Sequence, residues 1–161
     1  MKAIIVYYSL EGNTDYAAKL LADELGADLL RVEPEKPYPT DGKKFLIGGK
    51  DATFGIEPPL KPYSFNADDY DTVVLGTPLW AWTMAPPLKT FISGNNLSDK
   101  KLAFFVSSGG GNDKKCFAKF FKMLDVSEAP CLSLIEPLNG KNDEVLKKIS
   151  EFAEKIKSMY L

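Results

Sequence analysis

Hydrophobic and polar positions follow two rhythms along the chain: short apolar runs that fit buried strands, and longer runs whose apolar residues recur at helical spacing. Lys2 to Tyr8 is the first strand run, and Asn13 to about Leu25 the first helix, with Ala17, Leu20, Leu21 and Leu25 on one face and Gly26 as its stop. Asp28 to Glu33 mixes apolar and charged residues, as a sheet-edge strand with a solvated end does, and Pro34 ends it. Further strand runs are Thr72 to Gly76, Lys101 to Val106 and Cys131 to Ile135. Each precedes a helix. The first starts at Pro86 and Pro87, turns Leu88, Phe91 and Ile92 inward and ends at Gly94. The second follows Asp113, with Phe117, Phe120, Phe121 and Leu124 inward, and the third runs from about Asn142, carrying Val145, Leu146, Ile149, Phe152, Ala153, Ile156 and Met159.

Strands alternating with helices imply a parallel sheet with right-handed crossovers and both faces covered, an α/β, three-layer, doubly wound fold. The stretch from Pro34 to about Asp71 breaks the rhythm. Its six prolines and four glycines exclude a long helix, so only a short one near Lys43 to Ile47 is expected, with Phe45, Phe54, Tyr63 and Phe65 packing the segment onto the domain.

Composition narrows the function. The 161 residues are enough for one domain, taken as residues 1–161, and 45% hydrophobic with 26% charged residues is a globular balance. A net charge of -2 and a pI near 5.3 give no basic footprint, which argues against nucleic acid as a ligand. No run is apolar enough to cross a membrane and no signal-peptide pattern opens the chain, so a cytoplasmic protein is expected. Cys116 and Cys131 stand alone and are expected to be reduced, mostly buried thiols. The chain has no histidine, which removes Ser-His-Asp and Cys-His catalysis and histidine-ligated zinc.

Three unusual loops follow strands and therefore meet at one edge of the sheet, where open parallel sheets bind ligands. Ser9-Leu10-Glu11-Gly12-Asn13-Thr14 places free backbone N–H groups, two hydroxyls and an amide at the positive end of a helix, a setting for phosphate. Plain N-capping by Asn13 or Thr14 would use the same residues. The loop is neither a Walker loop nor a dinucleotide fingerprint. The second loop, Thr77, Pro78, Leu79, Trp80, Ala81, Trp82 and Thr83, offers tryptophan walls for a flat aromatic ring, where stacking adds about 0.5 to 1.5 kcal/mol beyond burial. In the third, Ser108, Gly109, Gly110 and Gly111 let the backbone approach a ligand and donate N–H groups to it. No lysine or arginine falls in these loops, so no positive cluster is expected at them, and a fully reduced, anionic form of a redox ligand would be disfavoured.

With these motifs the whole chain resembles the flavodoxin-like family, whose members bind FMN at these three places. Tyr8 to Thr14 is similar to the family's phosphate loop, and Gly76 to Trp80 to its second loop. The resemblance implies a five-stranded sheet in the order 2-1-3-4-5. It also implies a phosphate held by the side chains of Ser9, Asn13 and Thr14 and the N–H groups of Leu10, Glu11 and Gly12. Residues Pro78 to Thr83 and Ser108 to Gly111 would contact the isoalloxazine ring, with Trp80 and Trp82 both open as the stacking residue. Glu11 departs from the threonine common in the family, and its carboxylate is expected to turn to solvent. A receiver-type response regulator is excluded by Tyr8-Ser9 and Gly76-Thr77, and a small tyrosine phosphatase by the lack of a cysteine and arginine in the loop.

The expected function is electron transfer through bound FMN, with redox proteins as partners. The alternatives are an NAD(P)H-dependent quinone or flavin reductase, with a quinone or nicotinamide substrate, and a binding module that has lost its flavin. Monomer and homodimer both stay open.

Overall fold

Burial on both faces of the sheet explains why strand β1 (Ala3–Tyr7) is apolar at every position. In the computed structural model, which describes residues 1–160, β1 lies near the middle of a sheet ordered β2 (Asp28–Arg31), β1, β3 (Thr72–Trp80), β5 (Lys101–Ser108), β6 (Cys131–Ile135). These five strands are parallel, and β4 (Thr83–Met84) folds back antiparallel on the end of β3. Counting the parallel strands alone, the order is 2-1-3-4-5, as the resemblance implies.

The strand period of two divides the core. Ile5, Tyr7, Val74, Ala103 and Phe105 face helices α1 (Asn13–Leu25) and α5 (Asn142–Tyr160). Ile4, Val6, Val73, Leu75, Phe104 and Val106 pack with residues of α3 (Pro86–Gly94) and α4 (Lys114–Leu124) on the other face. Register places Ile5 beside Val74 and Val74 beside Ala103. Gly76 allows Phe105 to lie across β3, since a Cβ there would meet the Phe105 ring at 2.1 Å.

The middle of the chain is more ordered than its prolines suggest. Helix α2 spans Lys43–Thr53, about two turns beyond the expected piece. Pro34 bridges Leu60, Lys89 Nζ donates to the Gly55 carbonyl at 2.7 Å, and Thr90 Oγ1 donates to the Pro58 carbonyl at 2.8 Å. Phe65 packs against Phe91 and Tyr70, but Phe45 and Phe54 are more than 70% exposed and do not pin the segment down. Leu146 and Met159 of α5 also face outward, because only one stripe of a surface helix meets the core.

The second loop differs most from expectation. Strand β3 does not end at Gly76 but runs to Trp80, turns through Ala81 (φ 48) and Trp82 (φ 62), and returns as β4. Positive φ at both turn residues is the geometry that matches strand twist in a two-residue hairpin, here adopted without glycine or asparagine.

Candidate functional site

The strand order changes direction at β1 and β3, leaving a crevice at their carboxyl ends where the chain departs to opposite faces. A cavity of about 560 Å³ lies there. Its wall takes Ser9, Leu10, Glu11, Asn13 and Thr14 from the first loop, Pro78, Leu79, Trp80 and Ala81 from the hairpin, and Ser107, Ser108 and Gly109 from the end of β5. The three loops thus meet as their positions after strands require.

The first loop is built by local hydrogen bonds. Tyr8 N–H donates to the Gly76 carbonyl at 3.2 Å, continuing the sheet, and Gly12 N–H donates to Ser9 Oγ at 3.2 Å. Gly12 sits at φ 99 at the start of α1, a conformation that strains any residue with a Cβ. No side chain caps α1. Asn13 Oδ1 instead accepts from Leu138 N–H at 3.0 Å, and Thr14 Oγ1 pairs with Ser107 Oγ at 2.7 Å, both hydroxyls being buried. The capping alternative for Asn13 and Thr14 therefore does not hold. The unpaired N–H groups of the first turn keep their partial positive charge at the cavity.

Behind the loop, Asp15 accepts from Tyr7 Oη at 2.5 Å and pairs with Lys19 at 2.7 Å. Burial alone would raise its carboxyl, but hydrogen bonds from Lys19 and Tyr7 and the charges of Lys19 and Arg31 hold it below the usual range. Arg31 also donates from its guanidinium to the Ser9 carbonyl at 2.8 Å, tying the edge strand to the loop.

Trp80 is the aromatic wall. Tyr8 and Tyr38 meet it edge-on at centroid distances of 5.6 and 5.1 Å, and Gly48 of α2 lies so close that a Cβ would come within 2.8 Å of the ring. Trp82 lies outside the cavity wall, 57% exposed at the hairpin tip. Gly12, Thr77, Thr83, Gly110 and Gly111 are also off the wall. Thr77 Oγ1 accepts from Ala85 N–H at 2.9 Å and braces the hairpin, and Gly111 N–H donates to Ser108 Oγ at 2.8 Å, closing the glycine turn.

Four wall residues escaped the sequence reading besides Ser107: Lys44, Phe45 and Gly49 of α2, and Glu136 after β6. Lys44 Nζ forms an ion pair with Glu11 Oε1. Glu11 is half-exposed, in line with a carboxylate turned to solvent, but it is also paired, and the one cation on the wall among the described residues comes from outside the three loops. The pairing of Gly48-Gly49 with a lysine and a phenylalanine just before it was the available signal. Among the described residues no acidic, cysteine or histidine cluster could hold a metal, and no helix is long and apolar enough to cross a membrane.

Such a site can take an anion at the α1 terminus and a planar ring against Trp80, with backbone donors at the ring edge. Known proteins share the fold. A flavoprotein from Lactobacillus acidophilus NCFM, solved in complex with FMN, is 25% identical over 91% of this chain and 97% of its own, with a TM-score of 0.72. A candidate flavoprotein from Bacteroides uniformis ATCC 8492 is 21% identical over 91% and 96% of the two chains, with a TM-score of 0.74. Oxidised Flavodoxin 1 from Bacillus cereus is 16% identical over 98% of each chain, with a TM-score of 0.61. The family model described as Flavodoxin matches residues 2–130, and with the greater part of its length so matched this chain belongs to the flavodoxin family.

Proposed function

We propose that the protein binds FMN in this cavity and serves as a flavodoxin-type electron carrier, a single domain over residues 1–161 that works in the cytoplasm. The observation that carries the reading is the uncapped first turn of α1, opening with the hydroxyls of Ser9 and Thr14 into a cavity walled by Trp80. Family membership and the FMN complex of the Lactobacillus acidophilus relative support it. The free thiols of Cys116 and Cys131 agree with a reducing compartment.

The residues present fit the group. Ser9, Asn13 and Thr14 side chains would hold the phosphate together with the N–H groups of Leu10 and Glu11, which bond to no other group among the described residues. Gly12 N–H is already engaged by Ser9 Oγ and supports the loop instead. Trp80, with Pro78 and Leu79, would flank the ring, and Ser108 and Gly109 would reach its edge. Bound FMN supplies the one- and two-electron redox chemistry. Glu11, Lys44 and Glu136 are the ionisable side chains on the wall, and electron exchange requires none of them as acid or base.

A second reading, an NAD(P)H-dependent quinone or flavin reductase, is favoured by Phe45, a wall residue that is 74% exposed and, with the Lys44 ammonium over one side of its ring, would offer the other to a second planar substrate. The two separate when purified protein with FMN is given NADH or NADPH and a quinone. The carrier reading expects negligible turnover until a reductase is added, and rapid turnover without one rejects it. Absence of FMN binding rejects both.

A further inference from the structure

We propose that Lys44 is a phosphate-positioning residue that exchanges between the Glu11 carboxylate and the phosphate of the ligand, so that the pair selects a phosphorylated flavin over its dephosphorylated form. This rests on the FMN reading above. Three observations lead to it. Lys44 and Glu11 line the same cavity and are paired across it, joining α2 to the loop at the start of α1. Lys44 is the one cation on a wall that also carries the carboxylates of Glu11 and Glu136, among the described residues. The lysine side chain is 19% exposed and the glutamate 52%, so the cation is held within the site while its partner has a route to water.

Charge makes the exchange necessary. A phosphate at the α1 terminus sits beside a carboxylate on its own loop, and like charges so close oppose binding unless a cation joins them or one of them leaves. An ammonium on a flexible stem, with three donors, can change acceptors without moving its helix. The helix itself is fixed: Gly48 abuts Trp80, and Tyr38 Oη donates to Asp51 Oδ2 at 2.9 Å. Lys44 thus keeps its place over the site while its head group turns from Glu11 to phosphate, and Glu11 rotates outward into solvent.

The test measures dissociation constants for FMN and riboflavin by flavin fluorescence, with wild type, Lys44→Gln, Lys44→Arg and Glu11→Gln, each checked for wild-type melting. Losing one charge-assisted bond should weaken FMN binding to Lys44→Gln by about 10- to 100-fold and leave riboflavin unchanged. Lys44→Arg should retain most of the preference for FMN. Glu11→Gln, which removes the competing acceptor, should tighten FMN by about three- to tenfold with riboflavin again unchanged. The proposal is overturned if Lys44→Gln leaves FMN affinity intact, if it weakens both flavins equally, or if Glu11→Gln weakens FMN. If the wild type binds neither flavin, the FMN reading itself falls, which these outcomes keep distinct from failure of the pair alone.

Discussion

Thr14 and Ser107 share one buried hydrogen bond, and breaking it separates what the site owes to the fold from what it owes to the ligand. Thr14→Val keeps the shape of the side chain but leaves Ser107 Oγ without its partner at a position 2% exposed. An orphaned buried hydroxyl costs about 1 to 3 kcal/mol, and at this chain length each kcal/mol lowers Tm by about 2 to 4 °C. Ser107→Ala orphans Thr14, 1% exposed, at similar cost. The double variant Thr14→Val/Ser107→Ala removes both groups, so its stability in urea without flavin should lie well above the sum of the two losses, a coupling of about 1 to 2 kcal/mol. Affinity should behave differently. If Thr14 also donates to phosphate, Thr14→Val loses a bond to a charged acceptor, about 1.5 to 3 kcal/mol or roughly 10- to 150-fold in FMN affinity, and the double variant stays equally weak. Recovery of FMN affinity along with stability in the double variant would refute a direct contact, and additive destabilisation would refute the buried pair.

Trp80→Ala should cost two edge-on aromatic contacts, about 0.5 to 1.5 kcal/mol each, and weaken FMN more than about tenfold in a fluorescence titration. Trp82→Gly should leave FMN affinity within about threefold and raise the melting temperature of the flavin-free protein, because it relieves a positive φ costing about 1 kcal/mol. Asp15→Asn should lower stability at pH 7. Because the Asp15 carboxyl is depressed below 3.8 in the folded state, the advantage of wild type is present above that pH and disappears as acid carries the pH through the folded value, which urea melts from pH 7 to 2.5 will follow.

Periodicity and punctuation were enough to read β1, α1, α3, β6 and a parallel sheet, because each of these elements buries a continuous run or a regular stripe and its local preferences agree with the fold, whereas the strand order came from the family resemblance. The convergence of the three loops followed from the same alternation. Helix α2 was less legible. Its glycines weaken helix propensity and its large apolar residues Phe45, Leu46 and Ile47 are exposed and do not form a buried stripe; Gly48 is there to let the helix meet Trp80, a tertiary contact that no local pattern announces. The hairpin of β3 and β4 was hidden for a related reason. Ala81 and Trp82 occupy positions that ordinarily signal themselves by asparagine and glycine, so the turn has the geometry without the usual residues. Lys44 and Glu136 reach the site from segments distant in sequence, and the pairing of Lys44 with Glu11 depends on the placement of α2.

The most direct test of the account is calorimetric titration of the flavin-free protein with FMN and, separately, with riboflavin. The account predicts one FMN per chain, bound at least about tenfold more tightly than riboflavin because the α1 terminus, Thr14 and Lys44 act on the phosphate. No binding of FMN, or equal affinity for the two flavins, would contradict it.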